Sequence, residues 1–106
     1  MYQWTKVEEY TLSSLQEDKI VEVKAGEKSV CLLKRNDQLY AFAATCPHQG
    51  AKFCAGWMDA AGRIVCPLHQ YRFDPANGRN TSGEGYKLRT YPTEIRENII
   101  YIGLTL

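Results

Sequence analysis

The stretch SVCLLKRNDQLYAFA, residues 29–43, decides the fold class of this chain. Its two arms, 29–34 and 38–43, are rich in β-branched, leucine and aromatic side chains, and Asn36-Asp37 supplies a tight turn between them. This pattern predicts a β-hairpin. Outward from the hairpin the chain continues in both directions as short strands broken by turns, with no long helical period and no internal repeat.

The remaining elements are predicted from the same kind of pattern. A brief helical turn or loop is expected over 11–16, and a tight turn with a left-handed residue over 74–78. Strands are expected at residues 4–8, 20–23, 63–65, 71–73 and 87–90, and in a final hairpin, 93–95 and 99–102, that turns at Glu97-Asn98. We therefore expect one mostly or wholly antiparallel all-β domain that spans residues 1–106.

The charge balance argues against some classes of partner. Thirteen basic and twelve acidic side chains nearly cancel, and no long run of one sign occurs. Nucleic acids and anionic membranes normally need a clustered basic patch, so neither is expected as a partner. The chain contains no apolar run of signal-peptide length at its N-terminus and no stretch that could span a bilayer. The sequence thus predicts a cytoplasmic protein, in which metal binding or burial is the expected role of cysteine.

The two histidines of the chain each follow closely after a cysteine. They lie in Cys46-Pro47-His48 and in Cys66-Pro67-Leu68-His69, and the first of these segments belongs to an irregular stretch, 45–57, that is expected to be a functional loop. Proline restricts the backbone next to each thiol, because it fixes its own φ and limits the residue before it. Two such segments can direct two sulfur and two nitrogen ligands towards one metal centre.

Two other interpretations of these four residues remain open at this point. Buried histidine is commonly a hydrogen-bonded structural residue and buried cysteine a small apolar one, but the repeated Cys–His arrangement disfavours separate structural roles. A Cys₂His₂ zinc site uses the same ligands in tetrahedral geometry. Zinc sites usually pair cysteine with cysteine and histidine with histidine locally, whereas the order here is Cys, His, Cys, His.

The full pattern resembles the signature of Rieske iron–sulfur proteins. Cys46-x-His48, a 17-residue connection and Cys66-x-x-His69 match the two ligand boxes of that family, and Gly50 and Pro67 match its supporting positions. The resemblance implies an antiparallel β-sandwich or barrel of short strands. It also implies one [2Fe–2S] cluster, bound by a subdomain of about residues 44–74 that is formed by two loops. In that family the cysteines bind one iron and the histidines the other.

The resemblance also implies a function. It indicates a Rieske-type ferredoxin, which is no enzyme itself but carries single electrons from a reductase to an acceptor such as an oxygenase. Gln49, Leu68 and Gln70 flank the histidines and are expected to form a docking rim. Two alternatives stay open. The chain could be the small subunit of an NAD(P)H nitrite reductase, which has a similar fold, or a zinc-stapled interaction module without a redox role.

Departures from the high-potential respiratory members of that family predict a low reduction potential. Those members carry an extra cysteine in each box, where this chain has Ala51 and Leu68. They also place a serine and a tyrosine after the second histidine, where this chain has Tyr71 and Phe73, and phenylalanine cannot donate a hydrogen bond to sulfur.

Three further features complete the sequence-based expectations. Cys31 is predicted to be a core residue, because it lies inside an apolar strand. Cys54, close to the first box, is predicted to be a small packing residue rather than a spare ligand or reactive thiol. Residues 82–85 are either a simple flexible loop or, as in the Rieske family, a third loop that covers the cluster.

Overall fold

The computed structural model of the chain describes residues 2–36, 38–44, 57–66, 72–79 and 88–105. A short 3₁₀ turn, Leu12–Ser14, follows the first strand. The described strands are, in chain order, β1 (Tyr2–Thr11), β2 (Val21–Ala25), β3 (Lys28–Arg35), β4 (Gln38–Ala43), β5 (Trp57–Met58), β6 (Ile64–Val65), β7 (Arg72–Phe73), β8 (Thr90–Tyr91), β9 (Thr93–Arg96) and β10 (Ile99–Thr105). Within the described part of the chain, no helix is long enough and apolar enough to cross a membrane.

Seven of the strands form one antiparallel sheet that closes on itself. Its order is β8-β4-β3-β2-β1-β10-β9, so β8 and β9 lie at opposite edges although Pro92 alone separates them in the chain. The sheet must therefore curl until its edges meet. A hydrogen bond from the Thr93 hydroxyl of β9 to the Leu39 carbonyl of β4, over 3.4 Å, marks this closure.

The other three strands form a small antiparallel sheet with the order β5-β6-β7. Each of its strands has two residues, with Trp57 opposite Val65 and Val65 opposite Arg72. The second row of the ladder, Met58, Ile64 and Phe73, turns its side chains towards the core. The small sheet thus packs by one face against the rest of the protein.

The hairpin of β3 and β4 lies between the two cores of the protein, because β3 is buried on both faces. Val30 and Leu32 belong to the core inside the closed sheet, whereas Cys31 and Leu33 belong to a second core. The buried members of the second core are Cys31, Leu33, Phe42, Ala44, Ile64, Cys66, Phe73 and Leu88. This burial explains why β3 is a continuous apolar run rather than an alternating one.

The turns follow the expected chemistry. Arg35 lies opposite Gln38 in the β3–β4 hairpin, and Asn36 between them has φ of 50°. In the last hairpin Glu97 and Asn98 both have positive φ, 51° and 70°, which is the backbone of a two-residue turn between antiparallel strands.

The sequence-based prediction of an all-β antiparallel fold is confirmed. Both predicted hairpins, the brief helical turn and the left-handed residue of the 74–78 turn, Gly78, are present. Cys31 is a fully buried core residue, as predicted. Strand boundaries differ, as in β1, which is longer than the predicted 4–8. Two short elements also differ: β5 falls at the end of the stretch predicted to be a loop, and the strand predicted over 87–90 is β8, Thr90–Tyr91. Pairing with neighbouring strands rather than local pattern defines both short elements.

Candidate metal centre

The second Cys–His box occupies the connection between two paired strands. β6 ends at Val65, Cys66 follows it directly, and β7 begins at Arg72. Because Val65 lies opposite Arg72, the connection of residues 66–71 is the loop of a β-hairpin. Cys66 at its start is fully buried in the second core, where it is grouped with Ile64 and Phe73 of the same hairpin. The hairpin therefore fixes where the connection that contains this box begins and ends.

The connection that contains the first box joins the same end of the small sheet. It leaves β4 at Ala43 and enters β5 at Trp57, and Trp57 lies opposite Val65, the residue before Cys66. At its other end Ala44, two residues before Cys46 in the sequence, is buried in the same core as Cys66. Both connections thus have described ends close to Cys66.

Most of the predicted site residues lie outside the described part of the chain. Of the four predicted ligands the structure describes Cys66. The predicted residues outside the described ranges are Cys46, His48 and His69, the docking rim Gln49, Leu68 and Gln70, and also Ala51, Cys54, Tyr71 and the 82–85 segment. Their roles stay predictions. Among the described residues no group of three metal-ligating side chains occurs.

Asp59 makes a set of polar contacts beside the hairpin that carries Cys66. Asp59 follows β5 and forms the turn to β6: its Oδ1 accepts hydrogen bonds from the amides of Ala61 and Arg63, over 3.0 and 2.9 Å. Its Oδ2 forms an ion pair with Arg72 Nε of β7, over 3.2 Å. The pKa of Asp59 is lowered, chiefly because the Arg63 amide donates to the carboxylate, and the nearby Arg63 and Arg72 charges act in the same direction against partial burial. At neutral pH this side chain is an anion.

A third connection, residues 80–87, begins and ends beside the second core. Leu88 at its end is fully buried in that core, and its amide donates to the Gly78 carbonyl over 2.8 Å. Gly78 has φ of 75°, and a Cβ built there would lie 1.8 Å from the Leu88 carbonyl oxygen. Glycine is therefore required both by the backbone conformation and by the close approach of the two segments.

The sequence pattern does not single out Asp59. A signal for Asp59 was present: an aspartate directly before the Ala60-Ala61-Gly62 turn is typical of side chains that accept hydrogen bonds from turn amides. The partner across the sheet was not visible in the sequence, because it depends on the register of β6 with β7.

The donor set fits an iron–sulfur centre. Cys66 supplies a thiol in a fully buried, largely apolar position at the end of a strand, and thiolates are the ligands that iron–sulfur clusters use. The remaining Cys and His residues of the pattern lie in the two connections that join the small sheet beside Cys66.

Comparison with known proteins places the chain in a family. Residues 3–92 match the family model of the Rieske [2Fe-2S] domain. The ferredoxin component of the naphthalene 1,2-dioxygenase/salicylate 5-hydroxylase systems of a Ralstonia species is 33% identical over 85 residues, which cover 79% of this chain and 81% of that protein. The chain belongs to the Rieske [2Fe–2S] domain family.

Solved structures agree with this assignment. The ferredoxin of carbazole 1,9a-dioxygenase from Nocardioides aromaticivorans superposes with a TM-score of 0.86 at 25% identity, over 97% of this chain and 99% of that one. A chain in the complex of reduced oxygenase and oxidized ferredoxin of carbazole 1,9a-dioxygenase gives a TM-score of 0.82 at 28% identity, over 94% of this chain and 92% of that one. A Mycobacterium tuberculosis protein classed as a nitrite reductase small subunit shares the fold, with a TM-score of 0.86 at 19% identity.

The predictions of the Rieske family and of a ferredoxin-type electron carrier that is not itself an enzyme are therefore confirmed. Membership of the family implies a [2Fe–2S] cluster.

Proposed function

We propose that Cys46, His48, Cys66 and His69 hold one [2Fe–2S] cluster and that this protein passes single electrons from a reductase to an oxygenase. The observation that carries the proposal is the position of Cys66. It is buried at the head of a hairpin loop, beside the described ends of the connection that contains Cys46 and His48. Residues 44–74 of a single domain, 1–106, form the cluster-binding subdomain, and the small sheet lies within them.

The ligand set accounts for the redox role. Neutral imidazoles in place of two thiolates make it easier to add an electron, so such clusters have potentials between about −150 and +300 mV, above the roughly −400 mV of plant-type ferredoxins. The part that this chain plays is to hold the ligands and to exclude water from them. Fully buried Ile64 and Phe73 lie beside Cys66 in the same core and keep that end of the hairpin dry.

The oxygenase partner is proposed from the relatives. The Ralstonia and Nocardioides proteins named above are ferredoxins of dioxygenase systems, and one of the solved structures is a complex of ferredoxin with oxygenase. We propose that Gln49, Leu68 and Gln70 form the docking rim around the histidine edge of the cluster. Contacts of this kind are small and transient, which suits a carrier that must dissociate after each electron. The proposed location is the cytoplasm.

Analysis of iron and acid-labile sulfide tests the cluster. The purified holoprotein should contain about two irons and two sulfides per chain. It should be red-brown, lose much of its visible absorption on reduction and regain it on oxidation. A colourless protein that contains zinc but no sulfide would instead establish the zinc-stapled module.

Electron transfer is tested with a reductase and an oxygenase of a dioxygenase system. Reduced protein should be reoxidised by the oxygenase in the presence of its substrate, whereas the apoprotein should not support turnover. Stable co-purification with a large siroheme-containing subunit would overturn the carrier assignment in favour of a nitrite reductase small subunit.

A further inference from the structure

The pair of Asp59 and Arg72 crosses the central strand of the small sheet. Asp59 lies opposite Arg63, because its amide donates to the Arg63 carbonyl over 2.9 Å, and Arg72 lies opposite Val65. Arg63 directly precedes β6 and Val65 ends it, so Ile64 lies between them in the chain. The 3.2 Å contact between Asp59 Oδ2 and Arg72 Nε therefore runs diagonally over β6 and ties the β5–β6 turn to β7.

This tie reaches the base of the second ligand loop. The loop of residues 66–71 begins directly after Val65 and ends directly before Arg72, so the Val65–Arg72 pair closes it. The strands on either side have two residues each, which gives the hairpin two rows of paired residues. With two rows of pairing, the Asp59–Arg72 contact is a further connection at the base of this loop.

We propose that Asp59 and Arg72 are a positioning pair for the second ligand loop, which holds Cys66 and His69 in the geometry that retains the cluster. The inference rests on the proposed function, since it concerns the ligands of that cluster. Neither residue is a ligand: each acts through the hairpin that carries the ligands.

The energetics separate this role from a general contribution to stability. The Arg72 side chain is 43% exposed and that of Asp59 is 19% exposed, so water screens part of their attraction. Exposed ion pairs contribute little to folding stability, because water screens their attraction. Loss of the pair should therefore leave the closed sheet folded and affect the ligand loop. Contacts behind metal ligands typically change metal affinity by about 10- to 100-fold when they are removed.

The chain offers matched variants. Asp59→Asn removes the negative charge but keeps an oxygen that can accept from the Ala61 and Arg63 amides, so the turn survives. Arg72→Gln removes the positive charge, and Arg72→Lys keeps the charge without the Nε donor. Glu94→Gln is the control, because Glu94 forms an ion pair of 2.8 Å with Arg96 within β9, away from the small sheet.

The experiment uses the holoprotein and follows the bleaching of its visible absorption in excess iron chelator. Asp59→Asn and both Arg72 variants should lose the cluster several-fold faster than the wild type, and Glu94→Gln should not. The reduction potential gives a second readout: it should rise in Asp59→Asn and fall in Arg72→Gln, because the first removes a negative charge and the second a positive one. These opposite shifts report the two charges themselves, so the positioning role is tested with the double variant Asp59→Asn/Arg72→Gln. Because both changes break the same contact, the double variant should lose the cluster no faster than either single variant.

The proposal is overturned if Asp59→Asn and Arg72→Gln release iron at the rate of the Glu94→Gln control, or if their effects on the release rate multiply in the double variant. Either result would leave the cluster assignment intact, because the wild type would still contain iron and sulfide. A wild-type protein without sulfide would overturn the proposed function itself.

Discussion

The two sheets of this protein are stabilised by different means. β3 and β4 of the large sheet share six pairs of opposed residues, and the sheet closes around a core of its own. The small sheet has strands of two residues, and the described contacts at its margins are polar turns, a close glycine contact and one ion pair. The closed sheet therefore has an apolar core of its own, whereas the small sheet depends on the second core that it shares with β3 and on turn chemistry.

The closed sheet also provides the surface on which the small sheet assembles. Cys31 and Leu33 of β3 face the second core, in which Ile64 and Phe73 of the small sheet are buried. A metal centre contributes folding energy where the apolar core is small. We therefore expect loss of the cluster to affect the small sheet far more than the large one, and the following variants test that difference.

The largest effect is expected for Cys66→Ser. The serine hydroxyl is a poor ligand for iron in place of a thiolate, so the holoprotein should lose its cluster completely. Iron, acid-labile sulfide and visible absorption should all fall to background. Circular dichroism should still report the β-sheet signal, since the closed sheet keeps its own core.

Cys31→Ala is the matched control for that variant, because among the described residues Cys31 is the other cysteine buried in the second core. Removal of the buried sulfur leaves a small cavity, so the free energy of unfolding should fall by about 1 to 2 kcal/mol. The cluster should be retained. A Cys66→Ser protein that keeps its full iron and sulfide content would contradict the assignment of Cys66 as a ligand.

Gly78→Ala is expected to have the second largest effect. The added Cβ would lie 1.8 Å from the Leu88 carbonyl oxygen, and φ of 75° is unfavourable for alanine. The segments at this point must move apart, at a cost of about 3 kcal/mol in the free energy of unfolding. Chemical denaturation monitored by circular dichroism measures it.

Gly26→Ala in the β2–β3 turn of the large sheet provides the comparison. Gly26 also has positive φ, 64°, but the nearest atom to its added Cβ is Thr5 Cγ2 at 4.0 Å. Only the unfavourable backbone conformation opposes alanine here, so the free energy of unfolding should fall by about 1 kcal/mol. Equal losses in the two variants would show that the contact between Gly78 and Leu88 is not important for stability.

The sequence was sufficient to predict much of the large sheet. The apolar arms 29–34 and 38–43 and the turn at Glu97-Asn98 are local signals, and both hairpins are present where they were predicted. The boundaries were less accurate: β1 extends over Tyr2–Thr11 rather than 4–8, because its pairing with β10 continues beyond the alternating pattern. The Cys–His spacing was equally local and was sufficient to predict the family.

The elements around the site could not be predicted in the same way. β5 has two residues and is defined by its pairing with β6, and no local pattern distinguishes Trp57-Met58 from a loop. The contact of Gly78 with Leu88 and the pair of Asp59 with Arg72 both join segments that are distant in the chain. Such contacts depend on register and packing, which a sequence pattern specifies only indirectly.

Phe73→Tyr tests the prediction of a low reduction potential. Phe73 is fully buried in the same core as Cys66, at the position where the sequence pattern of high-potential relatives has tyrosine. A hydroxyl that donates to a cluster sulfur stabilises the reduced state more than the oxidised one. A gain of about 1 kcal/mol on reduction corresponds to a rise of roughly 40 mV for one electron. Redox titration measures it; an unchanged potential with intact cluster would show that the added hydroxyl does not reach a sulfur.

The smallest effect is expected for Glu97→Asn in the last hairpin of the large sheet. Glu97 is exposed and has φ of 51°, a conformation that asparagine tolerates better than glutamate. The variant should gain about 0.5 kcal/mol in the free energy of unfolding, measured by denaturation, with no change in the cluster.

Asn98→Gly is the informative partner for this change, although glycine is a favourable residue in such turns. The Asn98 side chain accepts from the Ser13 amide over 2.9 Å and donates to the Ser13 hydroxyl over 2.8 Å, so its removal should reduce stability. The free energy of unfolding should change less in Glu97→Asn than in Gly78→Ala. The opposite result would contradict the comparison between the sheets, because backbone strain in a turn of the large sheet would then limit stability more than the contact beside the small sheet.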